Sequence, residues 1–242
     1  MGTVRKDQEW GIVLGALRYG EDSRVVRVLT HELGVVGLWV AGHGRGKGRN
    51  PGLWQPLNVL EFTGLERKGS EGLFRCKEVR RRRLHTRIPV EVTRSSVAFF
   101  LAELVSKTLP EETPHPEVAL ALERTALALD IAPSVSWLHV EFTAKLIQLL
   151  GLAPEEAPSD RHGLSWRTGE WVIDPIGDEE HLSPELAHRW VNACHAAEAG
   201  DWSGCSPQDR RILLSGPLRY LQYQLGAPAH LKSVGVLETL FA

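Results

Sequence analysis

With 242 residues, 43% of them hydrophobic, the chain can bury one large core or two smaller ones, which argues against a largely disordered protein. The formal charge of −2 conceals a division: residues 1–94 hold 18 of the 28 Lys and Arg but 10 of the 30 Asp and Glu, so a basic module at +8 adjoins an acidic one at −10. No apolar run approaches a membrane span, the opening residues lack a signal peptide's apolar stretch, and Lys6 stands where a myristoylation signal needs Ser or Thr, so a cytosolic location is predicted.

Five stretches, residues 10–17, 24–30, 35–41, 57–63 and 73–79, are rich in β-branched and aromatic residues and are separated by turn-forming sequences such as Tyr19-Gly20-Glu21-Asp22-Ser23. Five short strands in about seventy residues fit a small closed barrel, either an OB-fold or an SH3-like one. From residue 95 the period becomes helical. Val97, Phe100, Leu101, Leu104 and Val105 share one face before Pro110, Pro116 opens a second helix to about residue 130, and a third covers 136–150 before Gly151. Residues 152–182 are rich in Pro, Gly and acid, with a hairpin predicted from 164–167 and 170–173 around Thr168 and Gly169. Ser183-Pro184 and Ser206-Pro207 begin helices to about residues 199 and 225, and 229–241 is a last amphipathic segment.

Several residues are candidates for chemistry. The loop from Gly42 to Asn50 alternates glycine with cations, including Arg45, Lys47 and Arg49, which suits a clamp on phosphates. Its spacing is not that of a P-loop, and a solvated connector is the alternative. Arg80, Arg81, Arg82 and Arg83 form a run whose mutual repulsion favours a nearby anion. As a solvated run it is expected to contribute little to packing, so that neutralising all four weakens DNA binding without unfolding the chain. Trp39 and Trp54 are candidates either for base stacking or for the core. Asp174, Asp178, Glu179, Glu180 and His181 have metal-ligand residue types, and His188 and His195 lie on one helical face, but neither group has a ligand spacing. Cys76, Cys194 and Cys205 are odd in number and far apart, which fits free thiols. No nucleophile elbow, dinucleotide fingerprint, Walker motif or Cys-x-x-Cys pair is present, and catalysis is not expected.

Gly11-Ile12-Val13-Leu14, Tyr19-Gly20-Glu21, Thr30-His31-Glu32-Leu33-Gly34, Val40-Ala41-Gly42 and Gln55-Pro56 resemble, in order and spacing, the barrel of the bacterial recombination mediator family RecO. Leu101-Ala102-Glu103-Leu104-Val105, Leu149-Leu150-Gly151-Leu152-Ala153-Pro154 and His230-Leu231-Lys232-Ser233 are similar to its helical half. The resemblance implies an α+β protein: an N-terminal five-stranded OB-fold barrel, residues 1–82, then an α-helical domain, residues 83–242, with a short β-hairpin insertion at about 152–182. It further implies a non-catalytic protein that binds and anneals single-stranded DNA, engages RecR and the C-terminal tail of single-strand-binding protein, and indirectly helps RecA load. The location implied is cytoplasmic, at the nucleoid. Carried over by position, the DNA contacts are Arg24, Arg27, Arg45, Lys47, Arg49 and Lys232, to which charge alone adds Arg80 through Arg83. Many members of that family hold zinc with two Cys-x-x-Cys pairs after the Leu-Gly-Leu segment. Residues 152–182 here contain no cysteine, so no zinc or other cofactor is expected.

The competing readings are an RNA-binding barrel and a metal-dependent nuclease using the acids at 174–181. The acidic half is expected to serve protein partners, with Lys145, Arg189, Arg211 and Arg219 as its candidate cations for an acidic tail.

Overall fold

The computed structural model describes residues 3–19, 23–41, 51–67, 72–175, 180–196, 200–226 and 230–241. Five strands, β1 (Thr3–Tyr19), β2 (Ser23–Thr30), β3 (Gly34–Val40), β4 (Val59–Arg67) and β5 (Leu73–Arg81), close into a barrel in the order β1-β2-β3-β5-β4. The β3–β5 pair is parallel and the other four are antiparallel. That Greek-key order is the OB-fold rather than the SH3-like alternative.

Strand alternation decides what fills the barrel. Val13, Val26, Val28, Val36, Leu38, Leu60, Phe62 and Phe74 form one buried cluster, joined by Trp54 from a short helical turn (Pro51–Trp54). Trp54 is therefore core. Ile12, Leu29, Val35 and Val59 stand opposite one another on the other face of the strands, yet they too are almost wholly buried. The elements packed on β1 are α1 (Val92–Thr108) and α2 (Pro116–Ile131), which cover this end of the barrel.

Accordingly, the chain separates into two compact units at Ala132 and Pro133, some fifty residues past the barrel's end at 82 that the resemblance implies. The first two helices belong with the barrel. The link between barrel and α1 is fixed by Asp130, whose carboxylate accepts the backbone N–H groups of Thr86, Arg87 and Ile88 at 2.8–3.0 Å. Burial pushes its pKa up, but those three N–H donors outweigh burial and hold it below the ordinary value. Arg94, buried in the first turn of α1, donates to Glu91 at 2.7 Å, to the carbonyl of Ala132 at 2.8 Å and to that of Leu129. The free carbonyls at the end of α2 thus meet a guanidinium, the charge that the helix dipole favours there.

The second unit holds α3 (Leu138–Leu149), a three-stranded sheet of β6 (His162–Ser165), β7 (Trp171–Ile173) and β8 (His181–Leu182) in the order β7-β6-β8, then α4 (Pro184–His195), α5 (Pro207–Leu225) and α6 (Val234–Leu240). The hairpin turns at Gly169, φ 75°, as the sequence suggested. Strand β8 went unpredicted because two residues carry no periodicity. Trp166, Trp190 and Tyr220 pack edge to face at 5.0 and 6.0 Å. Ser206 and Asp209 cap α5 reciprocally, at 3.1 Å from the Asp209 N–H to the Ser206 hydroxyl and 2.7 Å from the Ser206 N–H to the Asp209 carboxylate. By contrast, Ser183 starts α4 without a side-chain cap, leaving Pro184 to set the first turn. All three cysteines are free, and burial pushes the Cys194 thiol up to about 12 and that of Cys76 to about 11.

Candidate nucleic-acid interface

One outer face of the barrel remains uncovered. In the row Leu17, Val25, Trp39, Arg75, each residue pairs with the next across β1, β2, β3 and β5, so all four side chains point the same way. Leu17 is exposed and Trp39 half-buried, and the Arg75 guanidinium lies 5.4 Å from the centre of the Trp39 ring. The next row is Gly15, Arg27, Gly37, Leu73. A Cβ added at Gly15 would meet nothing within 4 Å. A Cβ on Gly37, by contrast, would stand 3.1 Å from the Leu73 Cδ1 and 3.4 Å from the Val25 Cγ1, so Gly15 alone leaves an open stretch of sheet beside Arg27, with the indole in the neighbouring row, where a ligand backbone can approach closely. A phosphate on Arg27 and a base against Trp39 both fall within this one face.

The predicted contacts divide as follows. Arg24 and Arg27 are three apart on one strand and so face opposite ways. Arg24 pairs with Arg18 and Val40 on the same side as the core valines, at the exposed end of the β1–β2 ribbon beside Tyr19. Arg45, Lys47 and Arg49 lie outside the described residues. Lys232, exposed and already partnered, belongs to the second unit just before α6.

The arginine run does not behave as a solvated stripe. Arg80 holds Glu61 at 2.5 Å. Arg81 has the parity of the core and donates to the carbonyl of Gly52 at 2.9 Å. Arg82 lies 4.8 Å over the Trp10 ring and 3.9 Å from Glu123. Arg83 alone of the four is exposed with no partner among the described residues. The expectation that the run contributes little to packing does not fit Arg80, Arg81 and Arg82: alternation puts Arg80 and Arg82 beside Glu61 on one side and Arg81 on the Gly52 carbonyl on the other.

The residue that sequence reasoning missed is Arg75. Its position opposite Trp39 depends on the parallel β3–β5 register, which no local pattern encodes.

Several described members of the metal-like groups make ordinary contacts. Asp174 pairs with Arg161, His188 contacts the carbonyl of Ser159 at 3.3 Å, and His195 that of Pro154 at 2.8 Å. Asp178 and Glu179 lie outside the described residues, and among the described ones no three His, Cys, Asp or Glu converge as a ligand set. Of the cations proposed for an acidic tail, Lys145 donates to Gln148, Arg189 to the carbonyls of Asp201 and Ser203, and Arg211 faces Glu238 at 4.0 Å, while Arg219 is partnered as well. No helix among the described residues is long and apolar enough to cross a membrane.

Comparison with known proteins agrees with the barrel and the helices that follow it. Residues 4–83 match the family model described as "Recombination protein O N terminal", and residues 90–233 match "Recombination protein O C terminal". A protein of Bacteroides fragilis named "DNA repair protein RecO" is 32% identical over 238 residues, covering 96% of this chain and 97% of its own. A Stenotrophomonas maltophilia protein of the same name is 28% identical over 246 residues, with 97% of each chain covered. With both family models matched in order on a closed five-stranded barrel and its helical continuation, the chain belongs to the Recombination protein O family.

Proposed function

We propose that this protein is a DNA-repair factor that binds single-stranded DNA along the uncovered face of its barrel and acts as a recombination mediator. It anneals strands and, with RecR, helps RecA load onto strands coated by single-strand-binding protein, whose C-terminal tail it engages. It works without catalysis and without zinc, at the nucleoid. The observation that carries this reading is the open sheet at Gly15 and Arg27 beside Trp39 and Arg75. It joins a phosphate-binding cation to an aromatic ring on an OB-fold, in a chain whose relatives are named DNA repair proteins. The cysteine-free stretch 152–182 supports the zinc-free part.

The test is a salt titration of binding to a labelled single strand, followed by an annealing assay with and without bound single-strand-binding protein. About five phosphate contacts give a slope of roughly −3.5 in log K against log salt, from about −0.7 per contact. An affinity indifferent to salt, tight binding to RNA with no annealing of DNA, or cleavage of the strand in Mg²⁺ or Mn²⁺ overturns the proposal.

A further inference from the structure

We propose that Glu111 is an intrachain stand-in for a phosphate, competing with the bound strand for Arg27 and so setting the affinity of the barrel face. The inference rests on the nucleic-acid reading of that face and concerns its regulation.

Arg27, beside the open Gly15 on that face, is not free. Its Nη2 lies 3.1 Å from the Glu111 carboxylate, while its buried Nε–H has no acceptor. Glu111 does not arrive there as a wandering surface side chain. It follows α1 in the segment Pro110-Glu111-Glu112-Thr113, which is laid on the edge of β3: Glu111 bridges Val35, and the Glu112 N–H donates to the Val35 carbonyl at 3.1 Å. Glu112 takes a φ of 55° to make that contact. Gly34, with φ 72°, lies so close to the strap that an added Cβ would stand 2.1 Å from the Thr113 carbonyl oxygen. At the same edge, a Cβ on Gly72 would stand 2.6 Å from the Glu112 carboxylate, and the Gly72 carbonyl accepts the Gly37 N–H at 2.7 Å. The backbone therefore delivers two carboxylates to the border of that face, one of them onto the cation that a phosphate needs.

The magnitude suits a competitor rather than a lock. The two side chains are 38% and 67% exposed, and an ion pair so open to water is weak and screened by salt. A strand with several phosphates can displace the carboxylate while losing only part of its affinity. Displacement also leaves the carboxylate near the incoming phosphate, so the repulsion persists after the pair has broken.

The experiment measures binding of a labelled oligothymidylate to the full chain at low and moderate salt for the wild type, Glu111→Gln, Arg27→Ala, the double variant and Glu117→Gln. Gln keeps the size of the side chain and leaves the backbone contacts of the strap in place, and thermal melts of each variant check folding. Glu111→Gln is expected to tighten binding about two- to fivefold at low salt and less at moderate salt. In the Arg27→Ala background that gain should vanish, and Glu117→Gln, which removes an exposed charge elsewhere in the same unit, should give a smaller gain. Unchanged or weaker binding by Glu111→Gln, or the same gain with and without Arg27, overturns the competitor. A wild type that binds no strand overturns the reading beneath it instead.

Discussion

The carboxylate of Asp130 accepts the N–H of Ile88 at 3.0 Å across forty-two residues of sequence, and with Thr86 and Arg87 it satisfies three consecutive backbone donors of a loop that has no secondary structure to do so. Replacing Asp130 by Ala should cost about 2–4 kcal/mol at neutral pH, because buried donors lose their acceptor. The folded state holds this carboxylate below its ordinary value of 3.8. Its contribution is therefore complete above that value and is lost as pH falls through the lower, folded one. Denaturant melts of wild type and Asp130→Ala should differ at pH 7 and converge in acid; a gap that stays constant with pH overturns the assignment.

Arg81 and Arg83 should part company. Arg81→Ala removes the donor to the Gly52 carbonyl and is expected to destabilise by about 1–3 kcal/mol, whereas Arg83→Ala should change stability by less than about 0.5 kcal/mol. Thermal melts of the two single variants decide it, and equal melting temperatures would mean that the run is uniformly solvated after all.

Gly216→Ala should be poorly tolerated. An added Cβ would lie 2.2 Å from the Trp166 ring, which is itself locked edge to face against Trp190. Overpacking of this kind costs about 1–3 kcal/mol, readable as a lower denaturation midpoint of the full chain. A midpoint unchanged by the substitution would show that Trp166 has room to move.

Ser206→Ala breaks one half of the reciprocal cap on α5 and should cost about 1 kcal/mol, with Ser206→Thr recovering most of it. Asp209→Asn is expected to weaken the same helix start, as it removes a charge favoured near the positive end of the helix. Unfolding curves indistinguishable from wild type for all three variants would place the stability of α5 elsewhere.

The barrel was legible because runs rich in β-branched and aromatic residues, such as 24–30 and 35–41, bounded by turn-forming sequences, are a local signal, and the helices because their apolar spacing and prolines are local too. What escaped was non-local. Residues 3–9 are mostly polar and showed no strand pattern, yet β1 starts at Thr3 because its backbone pairs with the far end of β4, Thr3 opposite Arg67. Leu57 reads as the start of a strand but takes a φ of 64° in the turn before Val59. Helix α1 begins at Val92 rather than 95, and α4 ends at His195 rather than about 199. At the site, the family resemblance pointed to Arg27. Nothing in the sequence near Arg27 announces that Glu111, eighty-four residues on, has taken its place opposite.

The cover that α1 and α2 form over Ile12, Leu29, Val35 and Val59 also decides where the protein can be cut. A fragment ending near Arg94, where the charge changes sign, would keep all five strands. It would expose that apolar row to water and leave the N–H groups at 86–88 without Asp130. Such a piece is expected to aggregate, and its failure to bind DNA would say nothing about the barrel. The same holds during synthesis: a nascent chain has made every barrel strand by Arg81 but must grow a further forty-nine residues before the carboxylate that fastens the loop exists. The smallest piece worth purifying ends after Ala132, where the first compact unit closes.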